Sequence, residues 1–474
     1  MLWLSIGTVI AKISSFLSLI VLGWYLSKEE FALYALAYSS SIVFIALRNG
    51  GIQQLIIQRG ASKYNLTINL YTRYALLFNV LAMFLIFIAS PFIVNIYDDD
   101  ILYILLFVIA VSLPLGTAGL LHRSKLAIDL RFSDVAKFDA FSSIVRNVSS
   151  AILAISGFGV ISFILPLIFV ALFEWFYGKY KTQVTLLKRK SLSARNFKYI
   201  FSSSRWIIMT CVAISISLQG DYFIIGLFES KETVGLYFFG FQITIAIAVV
   251  ISQGMQSVVM PVMSRIKNDV SRQSEAFNKM LVILLICIAY VAFQMCLFSE
   301  YFIHFIWAGK WDDTISVVQI LSLSLIATVL VPLGKSVLES CAKWKTVSYL
   351  MMVEAFGVIA SAALGAALGG LVSIAIAVSV FRFCYGVFYI LFVSRVLTLS
   401  LTRTFNVIML VLLSGLLAYI VSIKAVVFLD IQSFWGFLSA KFILFTALYV
   451  FMLLVLQYHN LKLAKNYFYS MVKR

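Results

Sequence analysis

The chain of 474 residues is 62% hydrophobic and only 12% charged, against roughly 45–50% and about 25% in an ordinary soluble domain. That balance excludes a water-soluble fold. The net charge of +17 would suit nucleic acid, but the cations fall in alternate connections between apolar segments, so the charge reports membrane topology and no nucleic-acid partner is expected.

Apolar segments able to cross a ~30 Å hydrocarbon core recur along the chain. In order they read Leu2–Leu26, Phe31–Ile57, Leu70–Ile96, Ile101–Leu121, Phe138–Ile155, Val160–Tyr180 and Trp206–Leu227. The series continues with Val234–Val262, Met280–Phe298, Ile315–Lys335, Val347–Leu364, Leu371–Ser394, Phe405–Ile423 and Phe434–Leu456. The expected fold is all-α and polytopic, with about fourteen transmembrane helices. The first segment lacks a basic leader region, carries Lys12 and ends at Tyr25-Leu26-Ser27, so it reads as a retained helix rather than a signal peptide.

Even-numbered connections hold Arg59, Lys63 and Arg73, then Arg123 to Lys137, Lys179 to Arg205, Arg265 to Arg272, Lys335 to Lys345, and Arg395 with Arg403. Odd-numbered ones are short and mostly acidic: Lys28-Glu29-Glu30, Asp98-Asp99-Asp100, Glu229 to Thr233, and Glu300 to Asp313. Basic loops face the cytoplasm, so both termini are expected there.

An internal repeat emerges when the chain is slid on itself so that Trp3 meets Trp206. Ser14 then meets Ser217, Gly23 meets Gly226, and Ser27-Lys28-Glu29 with Tyr34 meet Ser230-Lys231-Glu232 with Tyr237. After shifts of register, Pro114-Leu115-Gly116 meets Pro332-Leu333-Gly334, and Ser150 meets Ser361. The expected organisation is an N-terminal six-helix lobe over 1–200 with a polybasic linker over 181–205, a second lobe over 206–400, and two further helices with a tail over 401–474. Six is even, so the lobes are expected to be related by an axis along the membrane normal and to face one another across a cleft.

Ionisable groups inside apolar segments cost at least ~2.5–3.5 kcal/mol each at the bilayer centre, so they should face protein or water. The reading singles out Lys12, Arg48, Asp139, Arg146, Glu174, Asp221, Glu354 and Arg382. Arg146 with Glu174, and Glu354 with Arg382, sit at comparable depths on neighbouring helices and suit intrabundle ion pairs or coupling sites. Lys12, Arg48 and Asp221, with Gln53 and Gln256, are the candidates for a central cavity, against snorkelling or helix-to-helix bonding as the plainer alternatives. Pro114, Pro166 and Pro332 are expected to interrupt their helices and act as kinks.

Cys211, Cys287, Cys296, Cys341 and Cys384 lack paired spacing and read as packing residues. With His122, His304 and His459 the only histidines, and no phosphate-cradling loop, no catalytic residue, cofactor or metal is called for.

The run Tyr25-Leu26-Ser27-Lys28-Glu29-Glu30-Phe31-Ala32-Leu33-Tyr34-Ala35, continuing to Gly50-Gly51-Ile52-Gln53-Gln54-Leu55-Ile56-Ile57-Gln58-Arg59, resembles the opening of Wzx-type polysaccharide flippases of the multidrug/oligosaccharidyl-lipid/polysaccharide exporter superfamily. Asp221-Tyr222-Phe223-Ile224-Ile225-Gly226, Gly235-Leu236-Tyr237 and Met260-Pro261-Val262-Met263-Ser264 are similar to the start of that family's second half. Ala32 departs from the glycine usual before Leu-Tyr.

The resemblance implies a flippase moving an undecaprenyl-diphosphate-linked glycan, such as an O-antigen unit of lipopolysaccharide, across a bacterial inner membrane. It implies alternating access, a coupling proton or sodium ion, contact with membrane lipids, and polymerase and assembly proteins as partners. Lys12 and Arg48 would meet phosphate, while Asp221, Glu174 or Glu354 would hold the coupling proton. A drug or cation antiporter of the same superfamily and a membrane glycosyltransferase or polymerase are the alternatives.

Overall fold

The computed structural model describes residues 2–49, 64–183, 194–266, 269–428 and 434–472. Among them every regular element is helical, with no strand. The α-helices are α1 (Leu2–Tyr25), α2 (Lys28–Asn49), α3 (Tyr64–Tyr97), α4 (Ile101–Leu115), α5 (Thr117–Ile128), α6 (Phe132–Ile155), α7 (Ile161–Ile164) and α8 (Pro166–Thr182). They continue as α9 (Ala194–Phe228), α10 (Lys231–Arg265), α11 (Val270–Trp307), α12 (Ile315–Ser340), α13 (Trp344–Leu368), α14 (Leu371–Val396), α15 (Leu401–Phe428) and α16 (Phe434–Val472).

The expected segments fall on these helices, except that residues 50–57 of the second lie outside the described residues. Among the described residues eleven helices are long and apolar enough to span a membrane, or twelve if α4 and α5 form one broken span.

Local chemistry sets several boundaries. At α2 the Ser27 hydroxyl accepts from the Glu30 amide at 3.2 Å while the Glu30 carboxylate accepts from the Ser27 amide at 2.7 Å. This reciprocal capping box satisfies two orphan donors. The matching start of α10 keeps half of it, the Ser230 hydroxyl accepting from the Thr233 amide at 3.3 Å. Asp269 caps α11 by accepting from the Arg272 amide at 3.0 Å.

The aligned prolines differ in effect. Pro114 ends α4, and the chain bends by 41° into α5, whereas α12 runs through Pro332. Pro166 takes the first position of α8, where its missing N–H is no loss. The expected interruption at Pro332 is therefore corrected. The expected linker is also shorter, because α9 begins at Ala194.

The chain divides into two compact units. The first comprises residues 1–239 and 344–378, the second 240–343 and 379–474. In the first, α1 lies along α6 and α9 along α13, the pairs that the repeat makes equivalent; α2 packs on α3, α4 and α9. Its core is the first two turns of α2, where Phe31 to Ala37 are all buried.

In the second unit α11 runs along α12, and the paired helices α15 and α16 dock on α11. Gly386 is set against Ala327, and Gly334 against Tyr389, so small residues let α14 approach α12 closely. Phe293, Leu297, Ala418, Phe445, Tyr449 and Leu453 form the core beneath the docked pair.

Polar contacts join the first unit's turns in two groups. At one end Lys28 pairs with Glu232 at 2.9 Å, Lys231 with Asp99 at 2.7 Å, and the Glu229 carboxylate accepts from the Gly370 amide at 3.0 Å. These join four of the odd-numbered connections. At the other end Arg131 pairs with Asp134 and donates to the Lys181 carbonyl at 3.1 Å, joining two even-numbered connections.

Candidate functional site

In the first unit, α1 and α6 meet through a polar seam. The Asn147 amide donates to Ser14 at 3.2 Å, Ser15 at 3.1 Å and Ser143 at 3.0 Å, and the Ser143 hydroxyl donates to the Ala11 carbonyl at 3.1 Å. Small hydroxyls permit close approach while satisfying one another in apolar surroundings. One residue along from Asn147, Arg146 reaches toward α2 and donates to the Tyr34 hydroxyl at 3.4 Å.

Lys12, half-buried on α1, lies within electrostatic reach of Arg146. Among the described residues neither cation forms an ion pair. Two like charges within reach of one another, with no ion-paired acid, repel.

The Tyr34 ring stacks on Phe163 at 4.4 Å and meets Phe238 at 5.6 Å. Phe238 meets Tyr222 at 5.2 Å, and Tyr222 follows Asp221. An aromatic chain thus links the cations to the acid on α9.

Asp221 is wholly buried. It accepts from the Tyr237 hydroxyl at 3.1 Å and from the Tyr222 amide at 3.1 Å. Tyr237 thus gives the acid a hydrogen-bond partner on the adjacent helix, α10. In this conformation Asp221 is enclosed by protein rather than facing an open cavity.

The expected Arg146–Glu174 pair is also replaced. Glu174 packs against Gly119 on α5 and feels the Arg123 charge, while Arg123 grips Asp139 with two bonds of 2.6 and 2.7 Å. Azimuth decides this, since Arg146 faces α2 and Glu174 faces α5. Glu354 is half-buried on α13 of the first unit. Arg382 belongs to the second, 5% exposed, its guanidinium 5.1 Å from the centre of the Phe241 ring. Gln53 and the side chains of Arg48 and Gln256 lie outside the described residues.

One embedded cation escaped the sequence reading. Lys441 on α16 is 8% exposed with its ammonium 4.8 Å from the centre of the Tyr301 ring. Its signal was present as a lone lysine within Phe434–Leu456.

On one face of the α1–α6 pair runs a groove of about 370 Å³ lined by Ile13, Leu17, Val148 and Ala151, with Ser14 and Asn147 among its walls. No group of three or more metal-ligating side chains occurs among the described residues.

A polytopic helical membrane protein is the class that this fold defines. The family described as Polysaccharide biosynthesis protein matches residues 21–316, and the chain belongs to it. It is similar to the teichuronic acid biosynthesis protein TuaB of Bacillus subtilis (strain 168), 22% identical over 340 residues that cover 71% of this chain and 69% of that protein.

Among solved structures, the lipid II flippase MurJ in its inward closed conformation superposes with a TM-score of 0.75 at 14% identity, covering 96% of this chain and 98% of that one. An inward-facing multidrug resistance MATE family transporter of the MOP superfamily gives 0.66 at 16% identity, over 84% and 99%. A MOP superfamily transporter from Pyrococcus furiosus gives 0.61 at 15% identity, over 84% and 95%. These likenesses concern the fold, an all-helical polytopic architecture shared with those three structures.

Proposed function

We propose that the chain is a flippase for an undecaprenyl-diphosphate-linked oligosaccharide, a surface-polysaccharide repeat unit of the O-antigen kind, working in a bacterial inner membrane with both termini cytoplasmic. The observation that carries this reading is the pair Lys12 and Arg146, two embedded cations in mutual reach and without an acid among the described residues. A diphosphate cannot cross hydrocarbon without such counter-charge. The hydroxyls and amide of Ser14, Ser15 and Asn147 beside them suit sugar hydroxyls.

Family membership supports the polysaccharide context, and the names of TuaB and MurJ are in keeping with it. Arg48, Gln53 and Gln256 remain proposed cavity residues, and the lobes over 1–200 and 206–400 are proposed to rock about the site. Asp221 is proposed to take up the coupling proton. The antiporter alternative needs a cavity that attracts cations, and Lys12 with Arg146 oppose one.

The deciding experiment deletes the gene and follows the lipid-linked glycan by leaflet-specific labelling. Accumulation on the cytoplasmic face, reversed by wild-type protein and not by Lys12→Ala, is expected. Unchanged glycan distribution together with a new sensitivity to cationic drugs would transfer the chain to the antiporter reading.

A further inference from the structure

Two short sequence-matched motifs meet in the first unit. Ser27-Lys28-Glu29 opens α2 and Ser230-Lys231-Glu232 opens α10, and each lysine bonds outside its own motif: Lys28 to Glu232 at 2.9 Å, Lys231 to Asp99 at 2.7 Å. The chain backbone is drawn in with them, because a Cβ at Gly235 would overlap the Lys28 carbonyl. Close by, Gly226 sits against Leu36 and Tyr97, whose hydroxyl donates to the Phe223 carbonyl at 3.0 Å.

Just beneath lies a dry plug. Phe31, with no exposed surface, meets Phe163 at 4.9 Å and Phe239 at 5.3 Å, and Tyr34 stacks on Phe163. Rings so packed exclude water from between them.

The ion pairs above the plug are only partly covered. Side-chain exposure is 22% and 57% for Lys28 and Glu232, and 35% and 17% for Lys231 and Asp99. Pairs this wet are weak and screened by salt, which suits contacts that must part and reform. Buried pairs would hold the same place too firmly.

We infer that the starts of α2 and α10 form a closable seal, in which Lys28–Glu232 and Lys231–Asp99 are a latch over the Phe31 plug and both pairs must part for the protein to open at this end. The inference rests on the transport reading, yet its first test needs no substrate.

Purified protein in lipid nanodiscs is followed by hydrogen exchange of the backbone amides over 26–36 and 229–239. Lys28→Glu and Glu232→Lys each speed exchange about two- to fivefold, the range of an exposed pair. The double exchange of both charges restores the wild-type rate, and 1 M salt speeds the wild type alone toward the single variants. Unchanged rates in the single variants, or no recovery in the double, overturn the latch.

A second arm joins Lys28→Cys to Glu232→Cys with a short cleavable bis-thiol reagent. Glycan export stops and returns on reduction, while treated wild type, with its own cysteines, is unaffected. Export that continues through the cross-link also overturns it. If the exchange arm succeeds and neither form exports glycan, the latch stands and the substrate reading falls.

Discussion

Tyr237 donates its hydroxyl hydrogen to Asp221 at 3.1 Å, tying the acid of α9 to the start of α10. The other oxygen accepts from the Tyr222 amide at 3.1 Å. An asparagine reproduces the shape and can still accept from that amide, so Asp221→Asn is expected to reach the membrane at wild-type abundance. Tyr237→Phe removes a donor to a buried carboxylate and is expected to cost about 1–3 kcal/mol. In the double variant the tyrosine's absence matters less, so the two effects are less than additive. If Asp221 cycles through a protonated form, Asp221→Asn loses export despite normal abundance. Wild-type export by that variant excludes the proton role.

How much of this was legible in the chain depends on which physical quantity carries the signal. Hydropathy located the apolar helices because lipid demands apolar length, although eleven or twelve of the described helices, rather than fourteen, are long and apolar enough to span. It missed helix ends such as residues 194–205 of α9 and 457–472 of α16, where polar residues continue the helix beyond any apolar run. The embedded ions were readable as rare events, Lys441 excepted. Their partners were not, because depth along a helix follows from sequence whereas azimuth depends on packing. Thus Arg146 was matched to Glu174 by depth, and it instead turns to Tyr34 on α2. Tyr237 was overlooked because a search for charges does not register a phenol as partner to Asp221. The Ser27 and Ser230 motifs were seen as a repeat, while their cross-connection through Glu232 and Asp99 belongs to tertiary structure alone.

Asn147 is a second testable point. Its amide serves Ser14, Ser15 and Ser143 at once. Hydrogen bonds between membrane helices average roughly 0.6 kcal/mol, with a maximum near 1.7. Asn147→Ala is therefore expected to lose about 1–2 kcal/mol in a reversible unfolding assay in detergent. Asn147→Gln, which keeps the amide but lengthens the arm, should recover part of it. A variant as stable as wild type would show that the seam contributes nothing to holding α1 on α6.

The docking of α15 and α16 offers a third. Gly415 abuts the Phe293 ring, which also meets Tyr419 at 6.0 Å and Phe445 at 6.5 Å. A Cβ there has no space, so Gly415→Val must push α15 off α11 at a cost of about 1–3 kcal/mol. Proteolytic cutting in the connection over residues 429–433 should accelerate. Adding Phe293→Leu, which vacates ring volume, should slow it again. Equal cutting in wild type and Gly415→Val would show that this contact does not hold the appended pair.

Lys12 and Arg146 give the sharpest separation between a structural and a functional charge. A structural cation is matched by an acid, and removing it strands that acid and lowers stability. Here the neighbour is another cation, so Lys12→Ala and Arg146→Ala each relieve repulsion in the empty protein. The expected result is a melting midpoint equal to or above wild type, the mark of groups kept for function at some expense of stability. Export should fall nonetheless, since a hydrogen bond to a charged group is worth about 1.5–3 kcal/mol, or roughly 10- to 100-fold in binding. Arg146→Lys keeps the charge but loses the planar fork and the reach to Tyr34, so it should recover export only in part. Adding soluble inorganic diphosphate should raise the midpoint of wild type and leave Lys12→Ala and Arg146→Ala unmoved, because an anion stabilises only the protein that binds it. Lower midpoints in both alanine variants, with no response of the wild type to diphosphate, would return the two cations to a purely structural role.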